Sequence, residues 1–423
     1  MPPALRKPAL AADEPTNLVK LQIALRIGET GSASEAARTL FRAQSVITRA
    51  VQELERTLGA SLFERGANGM VPTADGKVVL ARATRVFAEL SMLAQWCAVR
   101  RTRTRPIGPA TADRVPAYLL NARRLQLLIA LARHRHMPTT AAAMHVTQPA
   151  VSHAIKVLET GAGLPLFHRS GRGLLLTTEG ETVVLHARRA LNELRHIRDD
   201  LAAFHGSVQG QVVVGALPLG RTLILPDAIA LLSRDHPGVR IVTDESAYEP
   251  LVVSLRAGDV DFILGALRPA DPNSGLVLEP LISEPLTVLV RRDHPLLAKT
   301  GLRLADLTHE RWILPRSHAP ARLLFDGLFT RKRLRAPQPV VETADLAVIR
   351  GLLLKTDMIA ALSARQLHFE RESGQLDVLD IVDMPARETH RQIGLTLRAA
   401  SEPSPAAARL IEAIRTATRA HPA

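Results

Sequence analysis

One cysteine, Cys97, stands in 423 residues. An intrachain disulfide is therefore excluded, which fits a reducing compartment. Any redox role for Cys97 would need pairing between subunits, and a plain residue of a linker helix is the simpler reading. Long apolar runs are missing too: none approaches the roughly 18 residues of a membrane span, and Met1 to Pro15 carries no apolar signal-peptide core, so the cytoplasm is the expected location. Neither a Gly-rich phosphate loop, nor His-Glu-x-x-His, nor Gly-x-Ser-x-Gly occurs, so no enzyme activity and no cofactor are expected. His134, His136 and His145 crowd together, but without a nearby cysteine or a close carboxylate they read as a basic loop rather than a metal site. Acidic residues are scarce in one half only. Residues 1–205 hold 28 Lys and Arg against 16 Asp and Glu, leaving 26 against 25 for the rest of a chain whose net charge is +13. Basicity confined to one half suits a phosphate-binding surface, whereas a membrane surface would call for a basic amphipathic helix.

What the basic half contains is a repeat. Sliding the sequence by 104 positions lays Leu21 to Leu90 on Leu125 to Leu194 without a gap. Leu21-Gln22 meets Leu125-Gln126, Leu54-Glu55 meets Leu158-Glu159, Leu62-Phe63 meets Leu166-Phe167, and Gly76 meets Gly180. A period near 100 marks a duplicated domain, since solenoid periods run from about 20 to 50 residues. The clearest stretch is Thr147 to Glu159. Val151, Ala154, Ile155 and Leu158 form a stripe at helical spacing, with Gln148, Ser152 and Lys156 opposite and Pro149 and His153 beside them. Thr147 can cap this helix, and Pro149 falls in its first turn. With the short helix expected over Pro138 to Met144, it makes a helix-turn-helix whose later helix faces the major groove.

In the first copy, helices are expected over Leu18 to Ile27, Ser34 to Leu40 and Gln44 to Leu58, the last with Gln44, Ser45, Thr48, Arg49 and Gln52 outward. Asn68-Gly69 reads as the turn of a wing. Arg65 and Arg169 enter the two wings, where each could reach a phosphate or form a structural ion pair; Arg172 lies in the second wing. Gly76 to Arg101 and Gly180 to Phe204 are long amphipathic helices, read as dimerisation elements or as packing against their own domains. A basic, Pro/Gly-broken linker separates the copies. Beyond Gln209, strands and helices alternate, giving an α/β region with a mostly parallel sheet in two lobes and a cleft between them as the small-molecule site.

These residues resemble the LysR-type transcriptional regulators over nearly the whole chain. The second copy carries Ala141-Ala142, Thr147-Gln-Pro-Ala-Val-Ser152, Leu158-Glu159, Leu166-Phe-His-Arg169 and Leu176-Thr-Thr-Glu-Gly180; the first matches more loosely, and Leu255-Arg-Ala-Gly-Asp-Val-Asp261 fits the family's Leu-x-x-Gly-x-x-Asp. The resemblance implies two winged helix-turn-helix domains with linker helices, followed by a two-lobed, periplasmic-binding-protein-like (type 2) effector domain. The divisions expected are an arm (1–16), first winged domain (17–76), linker helix (77–102), basic linker (103–117), second winged domain (118–179), second linker helix (180–206), effector domain (207–400) and C-terminal helix and tail (401–423). Promoter DNA would be read by Gln44, Ser45, Thr48 and Arg49 with Arg65, and by Thr147, Gln148, Pro149, Ser152, His153 and Lys156 with Arg169 and Arg172. An effector would meet Leu217, Pro218, Leu219, Arg221, Leu267, Arg268, Arg316, Ser317 and Thr343. Ala216 to Gly220 is similar to the branch handling sugars and aromatic acids, so a sugar or an organic or aromatic acid is the implied effector. The resemblance further implies a homo-oligomer, a dimer or a tetramer, and admits RNA polymerase as a partner. The family ordinarily has one winged domain per subunit, and this chain has two. The alternative is a two-lobed binding protein or enzyme with non-functional winged helices.

Overall fold

The computed structural model describes residues 16–66, 69–102, 115–171, 173–269 and 274–420. The expected arm up to residue 15, Asn68 of the wing turn, most of the basic linker and Arg172 lie outside them. The chain forms two compact units, Met1–Ser207 and Val208–Ala423.

The first unit holds both copies of the repeat. The first head comprises α1 (Leu18–Thr30), α2 (Ala33–Thr39), α3 (Gln44–Leu58), the antiparallel wing strands β1 (Phe63–Gly66) and β2 (Gly69–Pro72), and α4 (Ala74–Thr102). The second repeats it as α5 (Ala122–His134), α6 (Met137–Ala143), α7 (Gln148–Ala162), β3 (Phe167–Ser170), β4 (Gly173–Leu176) and α8 (Thr178–Phe204). Shared residues of the repeat have shared jobs. Glu55 accepts hydrogen bonds from the Leu62 and Phe63 amides at 2.7 and 3.3 Å, and Glu159 accepts from Leu166 and Phe167 at 2.9 and 3.4 Å. Each glutamate thus ties the end of its third helix to the start of its wing, satisfying amides that the turn leaves unpaired. Thr73 and Thr177 each accept from a glycine amide, Gly76 and Gly180, at 2.9 Å. A Cβ on either glycine would fall 2.0 to 2.1 Å from a carbonyl oxygen, that of Leu62 or Leu166, so no other residue fits without backbone movement.

The two long helices run antiparallel and pack on each other within the chain. Asp75 near the start of α4 is 3.1 Å from His205 just past α8, and Arg82 bonds Glu193 and Asp200. Val79, Ala83, Val86, Phe87, Leu90 and Leu93 share one buried core with Val183, Ala187, Ala190, Leu194 and Ile197. The apolar stripes that the sequence left in need of a partner are therefore each other's partner. Val115, assigned by composition to the linker, is buried in this core with Leu119.

The second unit has two five-stranded sheets. The first lobe is built from β5 (Gly210–Ala216), α9 (Ile224–Asp235), β6 (Val239–Asp244), α10 (Tyr248–Ala257), β7 (Phe262–Ala266) and β8 (Leu276–Pro285). The second follows with β9 (Thr287–Arg291), β10 (Trp312–Leu314), α11 (Pro320–Arg331), β11 (Pro339–Glu342), α12 (Leu346–Lys355), β12 (Ile359–Leu362), α13 (His368–Glu372), β13 (Leu376–Val378) and α14 (Ala386–Thr389). The chain then returns to the first sheet as β14 (His390–Arg398) and ends in α15 (Pro405–Ala420), which packs beside α9. Strand orders are β6-β5-β7-β14-β8 and β11-β10-β12-β9-β13.

Both sheets are mixed, which corrects the expectation of a mostly parallel one. The strands β6, β5 and β7 are parallel, but β14 is antiparallel to β7 and to β8; β9 likewise opposes both β12 and β13. The return strand arrives from the far end of the chain, and its direction is set by the crossover rather than by local pattern. The Leu255, Gly258 and Asp261 signature has a local cause: Leu255 is buried, Gly258 ends α10, and the Asp261 carboxylate accepts from the Val213 amide at 2.7 Å, joining the turn to β5.

Candidate nucleic-acid interface and ligand cavity

Helix α3 buries Ile47, Ala50, Val51 and Leu54 and exposes Gln44, Ser45, Thr48 and Arg49; α7 buries Val151, Ala154, Ile155 and Leu158 and exposes Gln148, Pro149, Ser152, His153 and Lys156. Every described residue named from the recognition faces is thus at the surface, as are Arg65 and Arg169 on the wing strands. The two heads differ in detail. The Arg49 guanidinium is held at 2.9 Å by Glu53, four residues on, which also bonds Lys20 at 2.9 Å. These two cations hold the Glu53 carboxyl below its ordinary pKa, Lys20 contributing first. In the second head no acid occupies the Glu53 position, which is Val157. Thr147 spends its hydroxyl as a cap, accepting from the Ala150 amide at 3.4 Å, whereas Ala43 at the start of α3 offers no cap.

A glycine near a helix end, as Gly161 is in α7, ordinarily weakens it. Instead α7 runs to Ala162, the same length as α3, and a Cβ at Gly161 would lie 2.3 Å from the Tyr118 ring. The missing side chain is what lets that ring pack against the helix. Tyr118 shares a hydrogen bond with Cys97, and burial pushes the Cys97 thiol pKa up, away from thiolate reactivity.

A cavity of about 450 Å³ lies in the second unit between the two sheets, within the size range of small-molecule sites. Of the sequence-chosen residues, Leu217, Pro218, Leu219, Arg221, Arg268, Arg316 and Thr343 line it; Leu267 and Ser317 do not. Leu267 instead gives its amide to the Gln392 carbonyl at 2.9 Å, continuing the β7–β14 ladder. Ser317 is exposed in the turn before α11.

The sequence reading missed Tyr248 and Arg391. The Arg268 guanidinium sits 4.5 Å over the Tyr248 ring, and burial lowers its pKa. Arg391, the second residue of β14, lines the same cavity. Its register partner Glu284 is already engaged, accepting from the Ser363 hydroxyl at 2.9 Å and lying 2.7 Å from the Arg365 guanidinium. Arg391 consequently keeps Nε and Nη2 buried without an acceptor, as Arg268 does Nη1. Burial takes the Arg391 pKa down to about 10, against a smaller opposing pull from Glu284. Of the cavity's four acids, Glu249 acts on Arg268, opposing in part the lowering of its pKa by burial, and the other three are engaged elsewhere. Glu245 accepts from the Thr243 hydroxyl, Asp345 caps α12 by accepting from the Ala347 and Val348 amides at 2.8 and 3.0 Å, and Glu342 lies 3.8 Å from Arg322.

Two basic heads with polar reading helices, joined to a two-lobed unit that encloses a cavity, define a DNA-binding regulator controlled by a small ligand. The chain belongs to the LysR family of bacterial transcriptional regulators. The family's helix-turn-helix model matches twice, at residues 18–77 and 122–181, and its substrate-binding-domain model matches residues 205–419. The chain is 50% identical to the HTH-type transcriptional regulator GalR of Pseudomonas putida over 399 residues, 94% of this chain and 96% of that protein. Full-length OxyR from Pseudomonas aeruginosa shares the fold with a TM-score of 0.52 at 24% identity, over 71% of this chain and 94% of that one. CbnR complexed with its target DNA does so with a TM-score of 0.51 at 24% identity, over 70% and 99%. Among the described residues no helix is long and apolar enough to cross a membrane.

Proposed function

We propose that this regulator reads promoter DNA through α3 and α7 and answers to a small organic anion held between Arg268 and Arg391. The observation that carries the effector class is the pair of partly buried guanidinium groups in one cavity, each with buried donor nitrogens that have no acceptor. Burying a cation with part of its donors unused costs about 1–3 kcal/mol per unsatisfied group, which an anion that accepts from them relieves. A carboxylate fits both groups through charge-assisted bonds, and the Tyr248 ring and the apolar Leu217, Leu219 and Ile349 suit the body of an organic acid. This favours the acid over the sugar among the effectors that the family resemblance implies. The chain acts by binding, not by catalysis, in keeping with its relatives. Closure of the lobes on the acid shifts the equilibrium between two arrangements of the bound regulator, because only unequal affinity for the two can do so.

Thermal shift of the full chain in a Trp96→Phe background, followed through Trp312, tests this with benzoate, succinate and glucose as probes. At least one acid should raise the melting temperature and glucose should not, and Arg391→Met should abolish the acid's effect. The same variant without ligand should melt about 2–4 °C higher than the parent, since it removes a buried charge that Glu284 offsets only in part. Stabilisation by glucose alone would overturn the anion assignment.

A further inference from the structure

The antiparallel pair α4 and α8 has an internal two-fold relation that the 104-residue repeat makes explicit. Arg82 pairs with Glu193 at 2.8 Å, and His186 pairs with Glu89 at 2.8 Å. Moving each member by 104 positions turns the first pair into the second, because Arg82 corresponds to His186 and Glu89 to Glu193. The same operation exchanges the two heads. An interface related by a two-fold axis ordinarily joins identical subunits and makes them read a palindrome. Here both sides of the interface belong to one chain.

Two features separate this arrangement from a pair of equal heads. The apolar faces of α4 and α8 are spent on each other, with Val79, Phe87, Leu90, Ala187 and Ile197 at 1% exposure or less. A second copy would find no free stripe there. The reading faces also carry different chemistry. Gln44 and Gln148 coincide, but Ser45 stands against Pro149, Thr48 against Ser152, Arg49 against His153 and Gln52 against Lys156, all exposed. An amide suits adenine in both heads, whereas guanidinium and imidazole offer different donors to the bases that follow.

We infer that a single chain is the paired reading unit, and that its DNA target is a composite of two inverted but unlike half-sites, one per head. This rests on the reading that α3 and α7 enter the major groove. Each half-site shares the base met by its glutamine and differs at the bases met by Arg49 or His153. A perfect palindrome satisfies one head and mismatches the other.

Selection of duplexes from a random pool by the full-length chain tests it. The enriched motif should have two inverted halves of different sequence, whether it occurs once or twice on a fragment. Replacing Gln148, Ser152 and His153 with alanine should erase sequence preference in one half only, and replacing Gln44, Thr48 and Arg49 should erase it in the other only. Each triple variant should bind the parent site roughly ten- to hundred-fold more weakly. Preference kept in the untouched half certifies that the variant is folded. A symmetric motif in which either triple weakens both halves alike overturns the inference and leaves groove reading intact. No enriched sequence at all would sink both.

Discussion

Gly161 illustrates how context reverses an ordinary rule. In an exposed helix, glycine to alanine stabilises by about 1 kcal/mol. Here the added methyl would meet the Tyr118 ring at 2.3 Å, so Gly161→Ala should destabilise the first unit by about 1–3 kcal/mol. Urea unfolding followed through Trp96 in a Trp312→Phe background measures this, and adding Tyr118→Ala should recover much of the loss; a gain in stability from Gly161→Ala alone would refute the packing argument. The sequence displayed the glycine but not the ring, since Tyr118 precedes the second copy of the repeat and no spacing rule connects the two. Arg391 was hidden similarly. It is the second residue of a strand of otherwise regular alternation, and only the return of β14 to the first sheet brings it into the cavity with Arg268, more than a hundred residues earlier. A charged residue within a strand that reads as buried was the available signal.

At the scale of elements, the helices of the heads were legible because their apolar stripes, caps and terminating glycines all agree. The strand β8 was not. Its Pro280 and Pro285 argue against a strand, yet β8 is the edge of its sheet, where a missing donor costs little. The three-residue β13, also an edge, is too short to show a period. The α4–α8 pair offers a sharper test. Arg82 is held by Glu193 and Asp200 in a nearly dry setting; burial pulls its pKa down, but those carboxylates more than reverse the effect and leave it raised. Arg82→Met would remove the cation that Glu193 and Asp200 share and should cost about 3–5 kcal/mol of first-unit stability. The triple variant that also carries Glu193→Leu and Asp200→Leu should regain most of that. Denaturation read through Trp96 decides, and a loss under about 1 kcal/mol for the single variant would show that the carboxylates find other relief.

At the scale of the molecule, the uneven charge was the most portable thing in the sequence, because it depends on no contact. It places the salt sensitivity of DNA binding in the first unit. The logarithm of affinity should fall linearly with the logarithm of salt concentration, and Arg65→Ala or Arg169→Ala should each reduce the slope by about 1. Arg391→Met, in the other unit, should leave the slope unchanged. Gel retardation across a salt series checks this, and an unaltered slope in both wing variants would remove the wings from the phosphate contact. The mixed sheets lay out of reach of such reasoning, since strand order follows from crossovers that composition does not encode.

The exchange of Arg82 for His186 across the internal axis has an evolutionary consequence. Where identical subunits meet, each substitution is imposed on both sides at once, so a change good for one side and bad for the other is hard to keep. Covalent tandem copies remove that constraint. Either half can drift, be repaired or acquire a new preference while its sibling continues unaltered, which gives this lineage a route to unequal operators that a symmetric assembly lacks.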